Sequence, residues 1–416
     1  MKISVDRVIS RLEEIYECGR QADGTHARVA YSPEDQRGRK VFADYFGSLG
    51  IPVRQDEAGN LIAYIEGEEE LPSILIGSHL DTVIDGGKYD GALGCVAGLE
   101  VAETLKRAGR KLRHPLEVVV FTDEEGIRFG NGMFGSAAFC QVPMEELSEE
   151  DMDIYGRTRG EVLKEYGVVL KDAIRAERMP ETVHCMLELH VEQGKILEDH
   201  QKPLGVVSSI AGVRRYEVTL TGEANHSGST QMRHRKDALV GAAGLISSLP
   251  GIVREHGNEF SVATVGYIQA WPNAVNVIPG MCRFQLEIRD QEESVMDRLE
   301  SLIHDRLEEN CRKEGLDFSM RLYDAHVPGN MNAELKETIQ SVCEAGQIDY
   351  EILPSGAFHD SLLLCGRFPT GMIFIPSIGG ISHSPMEKSG REDIERGCQV
   401  LLDTVLRLDK KEGQIS

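Results

Sequence analysis

Apolar positions recur every three to four residues over roughly 4 to 18 and 33 to 49, the spacing of one buried face on an α-helix. The stretch "LGIPVRQDEAGNLIAYIEG" then alternates, and its turn residues around Asp56 to Asn60 predict a pair of strands. "SILIGSHLD" and "PLEVVVFTDEE" are apolar without clean alternation, which predicts strands covered on both faces. Between them, "GALGCVAGLEVAETLKRA", from Gly91 to Ala108, reads as a helix with a small-residue apolar face. Strand, helix and strand in that order predict an α/β layer whose ligands sit beyond the carboxyl ends of the strands.

A different rhythm occupies about 210 to 323. "VRRYEVTLTG" predicts a strand, "RKDALVGAAGLISSL" a helix, "SVATVGYIQA" and "AVNVIPGMCRFQLEIRD" two strands, "EESVMDRLESLIHDRLEENCRKEG" a long helix and "LDFSMRLYD" a closing strand. That is the β-α-β-β-α-β order of a split βαβ unit. Afterwards the first rhythm resumes, with "TGMIFIPS" as a strand and "REDIERGCQVLLDTVLRLDK" as a last helix. The expectation is therefore an α/β protein of two domains: a larger domain made of 1–209 and 325–416, with a split βαβ (ferredoxin-like) domain, 210–324, inserted between its parts. The acidic run "PMEELSEEDMD" reads as a solvated surface segment.

Charge narrows the partners. With 68 acidic against 45 basic residues in 416, the net charge of -23 disfavours nucleic acid and anionic membrane. A small metabolite or a metal ion is compatible with it. Nine cysteines without a CxxC pair point to free thiols in a reducing compartment, and the N-terminus lacks the apolar core of a secretory signal, so the chain is expected in the cytoplasm. The chain contains no run approaching 18 consecutive apolar residues.

The chemistry gathers where predicted strands end. "GSHLDTVIDGGKYDGALG" puts His79 and Asp81 after one strand and Asp90 in a glycine-rich turn that opens a helix. "VVVFTDEEGIRFG" ends another strand in Asp123, Glu124 and Glu125, "LELHVEQG" puts His190 at a third strand end, and "GGISHSP" places His383 in a glycine-flanked loop after a fourth. A lone histidine is more often structural, and an acidic block at a strand end is more often a cap or a solvated turn. Several such groups at strand ends predict one convergent site. Asp81, two residues beyond His79, is positioned to orient it. Asp90 could bridge two divalent ions. If the strand continues, Glu124 and Glu125 point to opposite sides, so one can bind metal while the other takes a proton from water. The inventory is that of a two-metal hydrolase.

The segments "GSHLDTV", "GGKYDGALG", "VVVFTDEEGIRFG", "LELHVEQG", "GEANHSGSTQM", "PNAVNVIPG" and "GGISHSP" resemble those of the M20 metallopeptidase-related amidohydrolases that cleave ureido groups. That branch contains N-carbamoyl-L-amino-acid hydrolase, β-ureidopropionase and allantoate amidohydrolase, and the likeness runs from about Tyr31 to the C-terminal helix. The resemblance implies that His79, Asp90, Glu125, His190 and His383 are metal ligands, with Asp90 as the bridge, Asp81 as the orienter and Glu124 as the general base. It implies two divalent ions, Zn²⁺ or Mn²⁺ with Co²⁺ or Ni²⁺ as alternatives, and a homodimer formed through the inserted domain, which acts as a lid. It also gives Gln193, His226, Asn276, Arg289 and His359 to a small ureido-carboxylate substrate, with Arg289 as the carboxylate clamp. Three of them have a plainer reading: His226 ordering a loop, Asn276 capping a turn, Arg289 pairing with Asp290.

Three positions depart from the branch pattern. Phe358 precedes His359 where glycine is usual, Gln231 stands where proline is common, and Met281 replaces a polar residue. All three bear on pocket shape and leave the implied ligands untouched. N-carbamoyl-L-amino acids and allantoate share a carboxylate and a carbamoyl head, so both stay open as substrates. An aminopeptidase or dipeptidase on the same scaffold is the further enzyme alternative. A binding protein with a degenerate site would lack a ligand or base, and none is missing. A dinucleotide-binding reading fails because the glycines of "IDGGKYDGALG" lack the GxGxxG spacing.

Overall fold

The unalternating apolar runs become the parallel centre of a nine-stranded mixed sheet. Four strands lie side by side and parallel there, in the order Leu116–Phe121, Ser73–His79, Val183–Val191 and Thr370–Ile375. The pair Val53–Gln55 and Leu61–Ile65 extends this sheet antiparallel on one side, and Gly205–Ile210 pairs antiparallel with Thr370–Ile375 on the other. In the computed structural model, which describes residues 1–144, 146–410 and 415, the chain divides into two compact units, Met1–Ser208 with Asn330–Ser416, and Ser209–Gly329. Glu145, inside the acidic run expected to be solvated, lies outside the described residues.

Both faces of the first unit's central strands are buried, for a reason visible residue by residue. Ile74, Ile76, Val118, Val120, Leu187 and Leu189 pack into one core with the helices Ala92–Arg107 and Arg391–Leu408. Their alternates Leu75, Val119, Phe121 and Met186 pack into another core with Phe139, Leu364 and Phe368. Side chains on a strand point alternately to the two faces, so a strand covered twice has few polar positions to spare. Apart from a few buried groups such as Glu117, His184 and Glu188, the polar residues gather at the strand ends.

The second unit is a four-stranded antiparallel sheet in the order Asp317–His326, Gly212–Thr221, Met281–Asp290 and Val262–Trp271. Helices Ala238–His256 and Glu293–Glu314 cover one face. The long helix buries Val295, Leu299, Ile303, Leu307 and Cys311, a stripe at helical spacing. On the strands, Tyr216, Val218 and Leu220 and then Cys282, Phe284, Leu286 and Ile288 face that core. The intervening positions carry Arg215, Glu217, Glu287 and Arg289. A short two-stranded pairing, Asn225–His226 with Val277–Ile278, lies outside the main sheet. Among the described residues one helix, Ala238–His256, is long and apolar enough by length and composition to cross a membrane; its Ala242, Leu245, Leu249 and Ile252 are packed in the unit's core.

A buried acid pins the helix Pro33–Ser48 to the loop before it. Ser32 caps the helix by accepting from the Asp35 N–H at 3.1 Å, and Asp35 Oδ2 accepts from the Tyr31 N–H and the Tyr166 hydroxyl, each at 3.0 Å. Burial pushes the Asp35 carboxyl up to about 6, against the opposing pull of Arg39. The folded state then keeps a proton that the unfolded chain releases near pH 4, so this group's contribution to stability falls as pH rises from about 4 to about 6. Asp35→Asn keeps an acceptor and cannot titrate. Its stability relative to wild type should improve by on the order of 2 kcal/mol between about pH 4 and pH 7, read from urea midpoints. An unchanged difference at the two pH values refutes this account.

Candidate metal and active site

The strand Leu116–Phe121 stops before the acids. The expectation that Glu124 and Glu125 diverge along a continuing strand is therefore corrected: Asp123 adopts φ 57° and the chain turns away. Asp81 fixes this turn. Its Oδ1 accepts from the Glu124 N–H at 3.3 Å and its Oδ2 from the Glu125 N–H at 3.1 Å. The Asp81 carbonyl also receives the His79 Nδ1–H at 3.0 Å, while its carboxylate stands 3.8 Å from that nitrogen. Asp81 thus orients the His79 ring through its main chain and the Glu124–Glu125 turn through its side chain.

Asp90 is the hub. Its Oδ1 lies 3.2 Å from His190 Nε2 and 3.6 Å from His79 Nε2, and its Oδ2 lies 3.2 Å from His383 Nε2. Gln193 Nε2 donates to the same Oδ2 at 2.7 Å. Glu124 Oε2 is 3.7 Å from His79 Nε2, and Glu125 Oε2 is 3.5 Å from His383 Nε2. Gly91 turns the chain beside Asp90 with φ 61°, and a Cβ there would overlap the His79 ring. Only glycine meets both demands.

The rings are aimed. His190 Nδ1–H donates to the Val191 carbonyl at 2.8 Å, as His79 does to Asp81, so in the neutral rings the Nε2 lone pairs face Asp90. His190 Nε2 accepts from the Gly91 N–H at 3.0 Å, which agrees with that tautomer. Burial opposes ionisation of Asp90, yet His190, His383 and His79, when their Nε2 atoms carry a second proton, outweigh it through hydrogen bonds and hold the carboxyl well below its ordinary value. Burial also disfavours charge on His79, and the nearby Glu124, Asp90 and Asp81 overcome it and raise that imidazole well above its usual range. His383 is pushed up to about 9, mostly by its hydrogen bond to Asp90. Glu125 is lifted to about 7 by burial and then by Asp90, and Glu124 is raised well above its ordinary value by burial, with Glu125 adding to it against the pull of His79.

This donor set fits divalent cations. Three trios, His79–Asp90–His190, His79–Glu124–Glu125 and Asp90–Glu125–His383, each bring their ligand atoms within 4.8 Å of one another. Protons on the imidazoles and cations between the trios answer the same demand, the neutralisation of buried carboxylates.

Residues that sequence reasoning passed over support these groups from behind. Glu188, two before His190 and so on the same strand face, accepts from Ser78 Oγ at 2.7 Å and Ser361 Oγ at 2.5 Å. Its period-two relation to His190 was the available signal. Ser382 donates to Asp90 Oδ2 at 3.0 Å, and Glu387 accepts from the backbone of the Asp90 turn. His359 is buried against the His190 ring at 4.4 Å between centroids, with its Nε2 2.9 Å from Ser355 Oγ. Burial and then His190 hold its pKa well below the ordinary imidazole value. Phe358 beside it is half-buried.

His226, Asn276 and Arg289 belong to the second unit. His226 is exposed, and its Nδ1 accepts from the N–H groups of Gly228 at 3.0 Å and Ser229 at 3.2 Å, so it orders its own loop. The exposed Asn276 receives the Ser227 N–H on its carbonyl at 3.0 Å. Arg289 pairs with Glu287 rather than Asp290, through Nε at 2.8 Å and Nη2 at 3.3 Å. Asp290 is turned inward, accepting from Asn258 Nδ2 at 3.0 Å. Gln231 is exposed and Met281 half-buried.

A sequence profile of Peptidase family M20/M25/M40 matches residues 75–407, which include every group of the cluster. The chain belongs to this family. Over 414 residues it is 38% identical to an N-carbamoyl-L-amino acid amidohydrolase of Geobacillus stearothermophilus, covering 99% of this chain and 100% of that one. An allantoate amidohydrolase of Bacillus subtilis (strain 168) is 34% identical over 412 residues, 98% of each chain. The crystal structure of a hydantoinase/carbamoylase family amidase from Burkholderia multivorans matches with a TM-score of 0.89 at 32% identity over 99% of both chains. M20 membership and the three trios together point to divalent metal at the strand ends.

Gly91 offers a test of the cluster that leaves every candidate ligand in place. Gly91→Ala forces a side chain into a left-handed turn and into the His79 ring. Purified protein should lose most of its bound metal by elemental analysis while keeping its far-UV circular dichroism. Wild-type metal content in the variant would overturn the assignment of that crowding to the site.

Proposed function

We propose that this chain is a dinuclear metal-dependent amidohydrolase that cleaves the ureido C–N bond of an N-carbamoyl-L-amino acid or a similar small ureido acid. The reaction consumes one water and releases the amine, ammonia and CO₂. The observation that carries the reading is Asp90, whose two oxygens face different trios of ligand atoms while the Glu124 carboxylate stands beside one of them. The full-length likeness to an N-carbamoyl-L-amino acid amidohydrolase supplies the substrate class. Allantoate is the second reading, favoured by the 34% identity to an allantoate amidohydrolase.

His79, Asp90, Glu125, His190 and His383 would hold two ions, Zn²⁺ or Mn²⁺ in first place. Bound divalent ions lower the pKa of water and stabilise negative charge developing on a carbonyl oxygen. Glu124 accepts the proton of the attacking water at a carboxylate oxygen and returns it to the leaving nitrogen. Asp81 keeps Glu124 in place by receiving its backbone N–H. Gln193, hydrogen-bonded to Asp90, and His359, packed on His190, line the substrate side. The second unit acts as lid and dimerisation domain and contributes His226, Asn276 and Arg289. Arg289 clamps the substrate carboxylate; its planar fork already meets the carboxylate of Glu287 through two nitrogens. Nine cysteines, none of them in a disulfide, suit a cytoplasmic enzyme.

Two variants test the chemistry and the recognition separately. Glu124→Gln should retain metal and lose about 10²- to 10⁴-fold in kcat, the usual cost of a missing general base. Equal turnover at matched metal content would remove Glu124 from that role. Arg289→Lys replaces a bidentate fork by a point charge, so KM for N-carbamoyl-L-amino acids and allantoate should rise at least tenfold with metal content unchanged. Assaying the wild type side by side with N-carbamoyl amino acids, allantoate and dipeptides decides among substrates, and turnover of dipeptides alone would overturn the ureide reading.

A further inference from the structure

Glu387 lies four residues beyond His383, in "HSPMEK", and is buried although none of the three trios of ligand atoms includes it. Its Oε2 accepts two backbone N–H groups of the Asp90 turn, Tyr89 at 2.7 Å and Asp90 itself at 3.2 Å. Its Oε1 accepts from Ser382 Oγ at 2.8 Å. Ser382 is in turn 3.0 Å from Asp90 Oδ2. The turn is shaped to receive this acid, since a Cβ at Gly87 would overlap the Glu387 carboxylate. One buried carboxylate thereby ties together two loops nearly 300 residues apart in sequence, one ending in Asp90 and the other bearing His383.

Burying an acid costs free energy unless hydrogen bonds repay the lost hydration. Here two N–H groups converge on one oxygen, and the single hydroxyl proton of Ser382 is shared between the other oxygen and Asp90 Oδ2; charge-assisted bonds of that kind fix position more firmly than neutral ones. The distance they fix is that between Asp90 Oδ2 and His383 Nε2, 3.2 Å. We propose that Glu387 is a positioning residue that sets the spacing of Asp90 and His383 and thereby the cation affinity of the Asp90–Glu125–His383 trio. This rests on the reading of those three residues as ligands. Ser382 is the lever's second arm, holding the side chain of Asp90 where Glu387 holds its backbone.

The test uses full-length, metal-free protein titrated with Zn²⁺ and, separately, Mn²⁺ against a chelating indicator. Wild type, Glu387→Gln, Ser382→Ala and Asp90→Ala are compared, together with the thermal midpoint of each metal-free form and the split between kcat and KM at saturating metal. Glu387→Gln keeps one oxygen for the Tyr89 and Asp90 N–H groups and turns an NH₂ toward Ser382. It should weaken one of two metal equivalents by 10- to 100-fold, the usual effect of removing a residue that orients a ligand. The other equivalent, the metal-free thermal midpoint and KM should stay near wild type, and kcat should recover in excess metal. Ser382→Ala should weaken the same equivalent by less. A Glu387→Gln protein that binds both equivalents as tightly as wild type, or one that loses thermal stability without any selective loss of metal, overturns the proposal. If Asp90→Ala itself binds metal normally, the ligand reading fails instead; if Asp90→Ala loses metal while Glu387→Gln does not, only the positioning role falls.

Discussion

Asp90 is a carboxylate taken almost completely out of water, at 3% exposure, and held among three imidazoles. Removing such a group from solvent costs on the order of several kcal/mol, and the surroundings must return that through charge and hydrogen bonds. The rest of the first unit is arranged around this demand. The chain turns left-handed at Gly91 immediately after it, and the helix Ala92–Arg107 begins there, placing a positive helix end beside a negative group. His79 and His190 come from neighbouring parallel strands, and each spends its Nδ1–H on a backbone carbonyl so that its Nε2 faces Asp90. A divalent cation among these groups would add the charge that the carboxylates Glu124 and Glu125 also require.

The sheet explains why these side chains meet where they do. Each central strand is buried on both faces, so it tolerates few charges along its length and meets polar surroundings only where it ends. Parallel strands end on the same edge. The Asp123 to Glu125 turn, His79, His190 and the His383 loop therefore arrive side by side, each from a strand that is the neighbour of the next. The acids that follow "VVVF" do not prolong that strand; at Asp123, still buried, the chain turns out of it.

That logic also separates what could be read from the sequence from what could not. Strands such as Ser73–His79 and helices such as Glu293–Glu314 were legible because their patterns are local: an apolar run in one, a stripe at three and four residues in the other. His79, Asp90, His190 and His383 were legible as chemistry at strand ends. The turn at Asp123 was not, because its left-handed backbone is held by Asp81, a residue over 40 positions away. Glu387 was invisible for the same reason; its partners are Tyr89 and Asp90, and an acid in a loop carries no local mark of a distant donor, whereas Glu188 had only its period-two relation to His190 to show it. The plainer reading of Arg289 paired it with Asp290, but strand alternation sends those neighbours to opposite faces and leaves Glu287, two residues back, as the partner on the same side.

The second unit solves the opposite problem with the same alternation. Its sheet is covered by helices on one face, so every other residue of Gly212–Thr221 and Met281–Asp290 is released from packing. The released positions carry a charged ladder in which Arg215 bridges Glu287 and Asp324, each at 2.7 Å, while Glu287 also holds Arg289. Glu287 has two cationic neighbours, and it is held below its ordinary value by them against the opposing effect of burial. A guanidinium at the end of such a ladder is restrained in orientation without being enclosed, which lowers the entropy lost when it meets an anion. Rigid chemistry at the ends of doubly buried strands and oriented charge on a singly covered sheet are two outcomes of one rule, that the number of buried faces decides where a strand keeps its polar residues.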